Sequence, residues 1–239
     1  MRYKNITEGR FISRPNRFIA VVDIDGEPIT VHVKNTGRCR ELLTENCRVF
    51  LEKSDNATRK TPYDLVSVIK HTDRGDIFIN MDSSAPNDAV AEWLPISGLF
   101  SPQAIIRREV THKSSRFDFF VADGERKAFI EVKGVTLEAC GTAYFPDAPT
   151  ERGVKHLYEL SECIDEGFDA YVVFVIQMKG ISSFRPNDSM HPQFGDALRS
   201  ATRKGVRIMA VDCIIERDSM KIDSTIEVEL DIKEAKDDT

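Results

Sequence analysis

Long apolar runs are missing from this 239-residue chain. The longest, around Tyr171 to Ile176, is far too short to span a bilayer, so a membrane-spanning helix is excluded. The opening Met1-Arg2-Tyr3-Lys4-Asn5 lacks the apolar core of a secretory signal, and the expected location is therefore cytoplasmic. Paired cysteines are missing as well. Cys39, Cys47, Cys140, Cys163 and Cys213 are odd in number, scattered and never in a Cys-x-x-Cys pair. They read as reduced thiols, which sets aside a disulfide framework and a zinc site. Cys39 lies between Arg38 and Arg40, a setting that lowers a thiol pKa when exposed, although packing is the plainer role. An excess of positive charge is also absent, with 33 Lys and Arg against 39 Asp and Glu, a net of −6. No internal repeat or low-complexity segment is present.

What is there is unevenly placed. Residues 1–82 carry 14 Lys and Arg against 12 Asp and Glu, whereas residues 212–239 carry 4 against 10. The acidity is concentrated in the C-terminal region and runs into Lys233-Glu234-Ala235-Lys236-Asp237-Asp238-Thr239, which reads as a solvated tail. Bulk charge is thus a poor veto on a basic binding face nearer the start.

The first 82 residues read as β. Phe18 to Ile24 and Ile29 to Val33 flank an Asp25-Gly26 hairpin turn, and a helical turn follows at Arg40 to Leu43. Further strands are expected at Arg48 to Glu52, Leu65 to Lys70 and Ile77 to Met81, with turns at Asp55-Asn56 and Arg74-Gly75. Five short strands and one helical turn suit a small barrel of the OB type. Ser83-Ser84-Ala85-Pro86-Asn87 marks a boundary, and residues 83–239 form the second domain. A short helix is expected from Asp88 to Leu94, then strands at Ile105 to Val110, Phe117 to Val121 and Ala128 to Lys133. The main helix spans Pro149 to Glu166 and stops at Gly167, ahead of an apolar strand from Ala170 to Ile176. A second helix, Gln193 to Arg203, ends at Gly205 and leads to a strand at Val206 to Val211. Strands separated by helices predict a mixed-sheet α/β layer.

The chemistry concentrates in the middle of that domain. Ile130 and Val132 share one face of their strand, so Glu131 and Lys133 share the other. Asp118, on the preceding strand, reaches the same point. Two carboxylates beside an ammonium suit a hard divalent cation such as Mg²⁺ or Mn²⁺, with the lysine orienting a water or steadying a phosphate. A lone Glu-x-Lys is usually a solvated charge pair. Here the order strand, strand, helix, buried strand matches the PD-(D/E)xK nuclease-like core, which favours Asp118, Glu131 and Lys133 as a catalytic set.

Supporting candidates flank it. Asp147 stands before the main helix, where it either caps backbone N–H groups or helps position a water or phosphate. Arg152, Lys155 and His156 occupy the first turns of that helix, near the positive end of its dipole. Glu109 could add a carboxylate, and Gln177 ends the apolar strand where ligands collect in α/β sheets. In the first domain, Arg14, Asn16 and Arg17, then Asn35, Thr36 and Arg38, gather guanidinium groups and amides suited to phosphates and base edges. Tight turns are the competing explanation for both loops. Phe11 and Phe18 offer stacking faces, with barrel core the commoner fate.

Taken together, several runs resemble the sugar fermentation stimulation protein family. They are Arg14-x-Asn16-Arg17-Phe18, Asn35-Thr36-Gly37-Arg38, Arg59-Lys60, Ser115-Arg116-Phe117-Asp118-Phe119 and Glu131-Val132-Lys133-x-Val135-Thr136-Leu137, with the long Phe145-Pro146-Asp147-Ala148-Pro149-Thr150-Glu151-Arg152-Gly153-x-Lys155-His156-Leu157. The likeness covers nearly the whole chain. It implies an N-terminal OB-type barrel, a C-terminal nuclease-like domain and DNA binding. Lys113 departs from a glycine often seen in the family, and Cys39 from a methionine. The expected function is therefore a DNA-binding protein with a Mg²⁺- or Mn²⁺-dependent phosphodiesterase centre. The alternative is a non-catalytic DNA-binding regulator linked to sugar metabolism. A glycoside hydrolase ranks lower, because the lysine and the basic loops favour phosphate.

Overall fold

The computed structural model describes residues 1–35, 37–56, 58–73 and 75–231. Thr36, Arg74 of the expected Arg74-Gly75 turn, and the acidic tail from 232 onward lie outside the described residues. The N-terminal domain has six strands: β1 (Ile6–Asn16), β2 (Ile19–Ile24), β3 (Glu27–Val33), β4 (Arg48–Lys53), β5 (Tyr63–Thr72) and β6 (Gly75–Asn80). They pair in the order β3-β2-β1-β4-β5-β6, and β3 also pairs with β5 at His32↔Asp64 and Val33↔Leu65, which closes the sheet into a barrel. Asp25 and Gly26 both take positive φ, 55° and 88°, as a two-residue hairpin turn requires. Leu42, in the turn after β3, is buried with Val22, Val31, Val49 and Leu65 in the barrel interior.

Strand β1 is the correction to the expected five. Only Gly9 and Phe11 are buried, and Ile12 is exposed among polar residues, so the apolar alternation that marks a strand is nearly absent. At Gly9, a Cβ would stand 2.5 Å from Val22 Cγ1 and 2.8 Å from the Asp23 carbonyl, so the close approach of β2 requires glycine.

The C-terminal domain begins with α1 (Ala85–Trp93) and a 3₁₀ turn (Leu94–Ile96). Then come β7 (Ile105–His112), β8 (Ser115–Asp123), β9 (Arg126–Val135), β10 (Leu137–Ala139), β11 (Thr142–Phe145), α2 (Glu151–Asp165), β12 (Asp169–Ile176), β13 (Ser183–Pro186), α3 (Pro192–Lys204), β14 (Arg207–Glu216) and β15 (Ser219–Val228). The sheet order is β10-β11-β13-β15-β14-β12-β9-β8-β7, with β9, β12 and β14 parallel at the centre. Helix α1 covers one face, above Ile130, Val132, Tyr171 and Val173. The other face carries α2 and α3, and its core is continuous with that of the barrel. Lys113 takes φ 50° in the β7–β8 turn, a conformation in which glycine would be unstrained.

A polar cluster ties the barrel together. Asp64, buried in β5, accepts two hydrogen bonds from Arg59 (2.7 and 3.0 Å) and lies 2.9 Å from His32 Nδ1. Burial alone would raise its carboxyl, but Arg59, His32 and Lys34 overcome that and hold it below the usual range. A depressed carboxylate contributes stability above its unfolded pKa of about 3.9 and loses it as pH falls through the lower folded value. Asp64→Asn should therefore cost about 2 kcal/mol at neutral pH, with the gap to wild type closing below about pH 4. Urea titrations across that range check it, and a gap that stays constant with pH would refute the assignment.

Candidate active site and its relatives

Strand pairing builds the site. The β8–β9 ladder runs from Asp123↔Arg126 to Phe119↔Ile130 and stops there. One residue further on, Asp118 replaces the ladder with its side chain: Oδ2 accepts the Val132 N–H at 2.7 Å, and Oδ1 accepts from Asn87 Nδ2 at 2.8 Å. Strand β7 yields at the same level. Glu109 takes φ 54° and drops out of the β7–β8 register between Arg108↔Phe119 and Val110↔Phe117. That break carries Phe117 into the core under α2, while Phe119 joins the core under α1.

Glu131 lies mid-strand on β9, 4% exposed and on the face toward α2. Its Oε1 accepts from Lys133 Nζ at 2.6 Å and lies 2.5 Å from His156 Nδ1. Arg152 Nε donates to His156 Nε2 at 3.3 Å, which leaves the ring proton on Nδ1, directed at Glu131. The other oxygen, Oε2, is buried without a hydrogen-bond partner. An unpaired buried carboxylate oxygen is costly, and a cation is the partner that best offsets it. Burial works to raise the Glu131 carboxyl, yet the hydrogen bond from His156 and the charge of Lys133 hold it below its ordinary range. Asp118 is shifted the other way, raised by burial and then by Glu131, against the Val132 N–H and the Asn87 amide. The two directions describe one coupled pair in which Glu131 carries the charge and Asp118 is the first to take a proton.

Helix α2 supplies His156 because of its start. Thr150 Oγ1 caps the helix by accepting from Gly153 N at 3.1 Å, so capping does not fall to Asp147. Asp147 is half-buried and accepts its own and the Ala148 N–H, with burial raising its carboxyl. Arg152 and Lys155 are exposed. His156 is 4% exposed and bonded to Glu131, so it positions that carboxylate and is not a free general base. Glu109 points outward, pairing with Arg116 at 3.4 Å, and is not brought to the centre. Gln177 donates to Asn80 Oδ1 (2.9 Å) and to the Asp82 carbonyl (3.0 Å), joining the two domains beside the site. Asn87 was not legible as a site residue, since it falls in the boundary segment; Pro86 just ahead of it was the signal of an earlier helix start.

In the barrel, Arg14 is spent on structure: its guanidinium donates to the carbonyls of Arg38, Arg17 and Asn35 at 2.7–2.8 Å. Asn16 and Asn35 each close a turn, accepting from Phe18 N at 2.9 Å and from Gly37 N at 2.8 Å. Arg17 and Arg38 remain exposed, on backbone that Arg14 gathers to one spot. Phe11 is core, whereas Phe18 is 44% exposed with the Arg17 guanidinium 4.9 Å from its ring centroid. Cys39 is buried and its thiol is pushed up to about 12 by burial, which makes it a packing residue.

Two family models match this arrangement: the SfsA N-terminal OB domain over residues 12–80 and the sugar fermentation stimulation protein RE domain over residues 84–219. The chain belongs to the sugar fermentation stimulation protein family. It is 54% identical to a sugar fermentation stimulation protein homolog of Clostridium beijerinckii over 228 residues, covering 95% of this chain and 99% of that one. A homolog from Ruminiclostridium cellulolyticum is 54% identical over 230 residues, covering 96% of this chain and all of the relative. Among solved structures, the Pyrococcus furiosus family member in complex with Ca²⁺ superposes with a TM-score of 0.84 at 25% identity, covering 96% of this chain and 98% of that one. No helix among the described residues is long and apolar enough to cross a membrane.

Proposed function

We propose that this protein is a cytoplasmic, divalent-metal-dependent phosphodiesterase acting on DNA. The observation that carries this reading is the buried, unpartnered Oε2 of Glu131, beside the second carboxylate of Asp118 and the ammonium of Lys133. The donor set suits a hard cation, with Asp118 and Glu131 as the residues that would hold Mg²⁺ or Mn²⁺. Among the described residues no group of three or more His, Cys, Asp or Glu is set for a metal, so other oxygen donors would complete the shell. A relative with the same fold takes Ca²⁺, another oxygen-seeking ion. When bound, such an ion supplies Lewis acidity to the scissile phosphate and acidifies a water.

The chain's own groups do the rest. Lys133 shares Oε1 with His156 and is 17% exposed at its side chain, so it is bonded to the carboxylate and still open in part to solvent. It would orient the attacking water or steady the phosphate. His156 keeps Glu131 in one rotamer, and Arg152 fixes the His156 tautomer. Arg152 and Lys155, exposed near the start of α2, and Arg17 and Arg38 on the barrel are the candidate phosphate contacts.

The test is an assay of the homogeneous full chain on single-stranded DNA, duplex DNA and RNA, with Mg²⁺, with Mn²⁺ and with EDTA. Metal-dependent cleavage that disappears in Lys133→Ala supports the reading. Binding without cleavage on every substrate would move the protein to the non-catalytic regulator. A second measurement isolates the metal. Titrating Mn²⁺ should raise the melting temperature of wild type, by about 2.7 kcal/mol of stabilisation at a hundredfold excess over Kd. The Asp118→Asn, Glu131→Gln double variant should not respond. Equal responses in both proteins would dispose of the two ligands.

A further inference from the structure

A small open crevice of about 110 Å³ lies between the two domains, at the carboxyl ends of the parallel strands β9 and β12. One side is the end of β9 and the start of β10, from Gly134 to Leu137, which begins one residue past Lys133. Tyr144, the ladder partner of Leu137, and Asp147 also line it, on the segment that continues into α2 and His156, and Asn35 lines it from the barrel. The crevice and the proposed catalytic centre therefore share both β9 and the approach to α2.

Two glycines allow close packing around it. A Cβ on residue 134 would stand 2.6 Å from Gln177 Oε1 and 2.8 Å from Pro86 Cγ. A Cβ on residue 37 would collide with the Asp147 carboxylate, so the barrel loop lies directly on the Asp147 segment. Charge is divided sharply across this place. The described lining includes no lysine or arginine, only neutral polar groups, apolar groups and Asp147. Arg17 and Arg38 are exposed nearby, on the loops that Arg14 pins to Asn35.

We propose that this crevice receives one unstacked nucleobase of the bound strand, the base adjoining the phosphate addressed by Glu131 and Lys133. The inference rests on the phosphodiesterase reading and specifies its substrate as a strand with a base free to swing out. Neutral donors and acceptors inside, with arginines outside, match a base held by its edge and a backbone held at the rim. Tyr144 supplies an aromatic wall, and the amide of Asn35 and the hydroxyl of Thr136 supply hydrogen-bonding groups. Burial raises the Asp147 carboxyl above its ordinary range, and its oxygens add acceptors for the donor groups of a base edge. A stacked duplex offers no single base to such a recess, so the crevice selects for single-stranded or locally opened DNA.

The experiment compares two labelled strands of equal length by fluorescence anisotropy in EDTA, one oligothymidylate and one with every base removed. The full-length wild type should bind the base-bearing strand more tightly. Tyr144→Leu should weaken that strand alone, by about tenfold, the scale of one base–aromatic stack, and leave the abasic strand unchanged. Thr136→Val, neutral and nearly isosteric, should act in the same direction and carries the comparison if Tyr144→Leu does not fold. Equal binding of both strands by wild type, or variants that weaken both strands alike, would overturn the base site while leaving the phosphodiesterase standing. Failure of wild type to bind either strand would bring down both.

Discussion

Glu131→Gln should lower metal-dependent cleavage about a thousandfold while the protein remains folded. Glutamine keeps an oxygen at the Oε1 position, so Lys133 Nζ and the His156 Nδ1–H retain their acceptor. What disappears is the charge, and with it the unpartnered Oε2 that a cation would need. The measurement is a single-turnover rate at saturating Mg²⁺ and again at saturating Mn²⁺, beside a thermal melt of the metal-free variant. A variant that cleaves within tenfold of wild type would remove Glu131 from the mechanism. A variant that fails to fold would show the residue to be chiefly structural, and Lys133→Ala then decides the chemistry. His156→Gln is the companion. It should reduce the rate by roughly ten- to a hundredfold, as expected of a residue that orients a metal ligand from behind, and the loss should shrink at higher metal concentration.

Phe174→Ala should be the most destabilising single truncation, at about 4 kcal/mol. Phe174 is fully buried in the central strand β12, stacked on Phe184 with centroids 4.1 Å apart and flanked by Phe145 at 5.6 Å and Phe194 at 6.4 Å. Those neighbours come from β11, β13 and α3, so the residual cavity lies where three elements meet and cannot collapse easily. In a chain of this size the loss corresponds to a fall in melting temperature of about 10 °C. Phe145 also opens the segment that carries Asp147 and leads to His156. Metal affinity, read from the Mn²⁺-dependent melt, should therefore weaken in Phe174→Ala although no ligand is touched. A cost below about 1 kcal/mol would show that the core repacks around the gap.

The fold was legible wherever an element shows a regular apolar face or a short apolar-rich run. The strand around Val31 and the helix carrying Phe194, Ala197, Leu198 and Ala201 follow from apolar period, and the strands around Val68 and Ile130 from short apolar-rich runs. Strands β1, β10, β11, β13 and β15 were not. The outward residues of β15 are polar or charged, as with Lys221, Asp223 and Glu227, and those of β1 mix polar groups with the exposed Ile12, which hides the alternation of the few buried ones. The other three have only three or four residues each, too few to show any period. The acidic C-terminal region thus contributes a strand to the sheet interior. Met220 and Ile222 pack in the core, while buried Asp212 and the exposed Asp223 are paired by Lys179.

Local sequence determined the identity of the central set. A strand alternates its faces strictly, so Glu131 and Lys133 had to share a side, and the Gly124 turn brought Asp118 to the neighbouring strand. Family membership, too, was carried by runs readable in the chain. Only the tertiary structure decided which charges are used. His156 reaches Glu131 because Thr150 and Gly153 start α2 at a particular turn; Arg14 is consumed by three carbonyls; Gln177 bolts the domains together. The reason is physical. Whether a polar group is free or satisfied depends on the partners that long-range packing delivers, and Glu131 lies 25 residues from His156 and Gln177 lies 97 from Asn80.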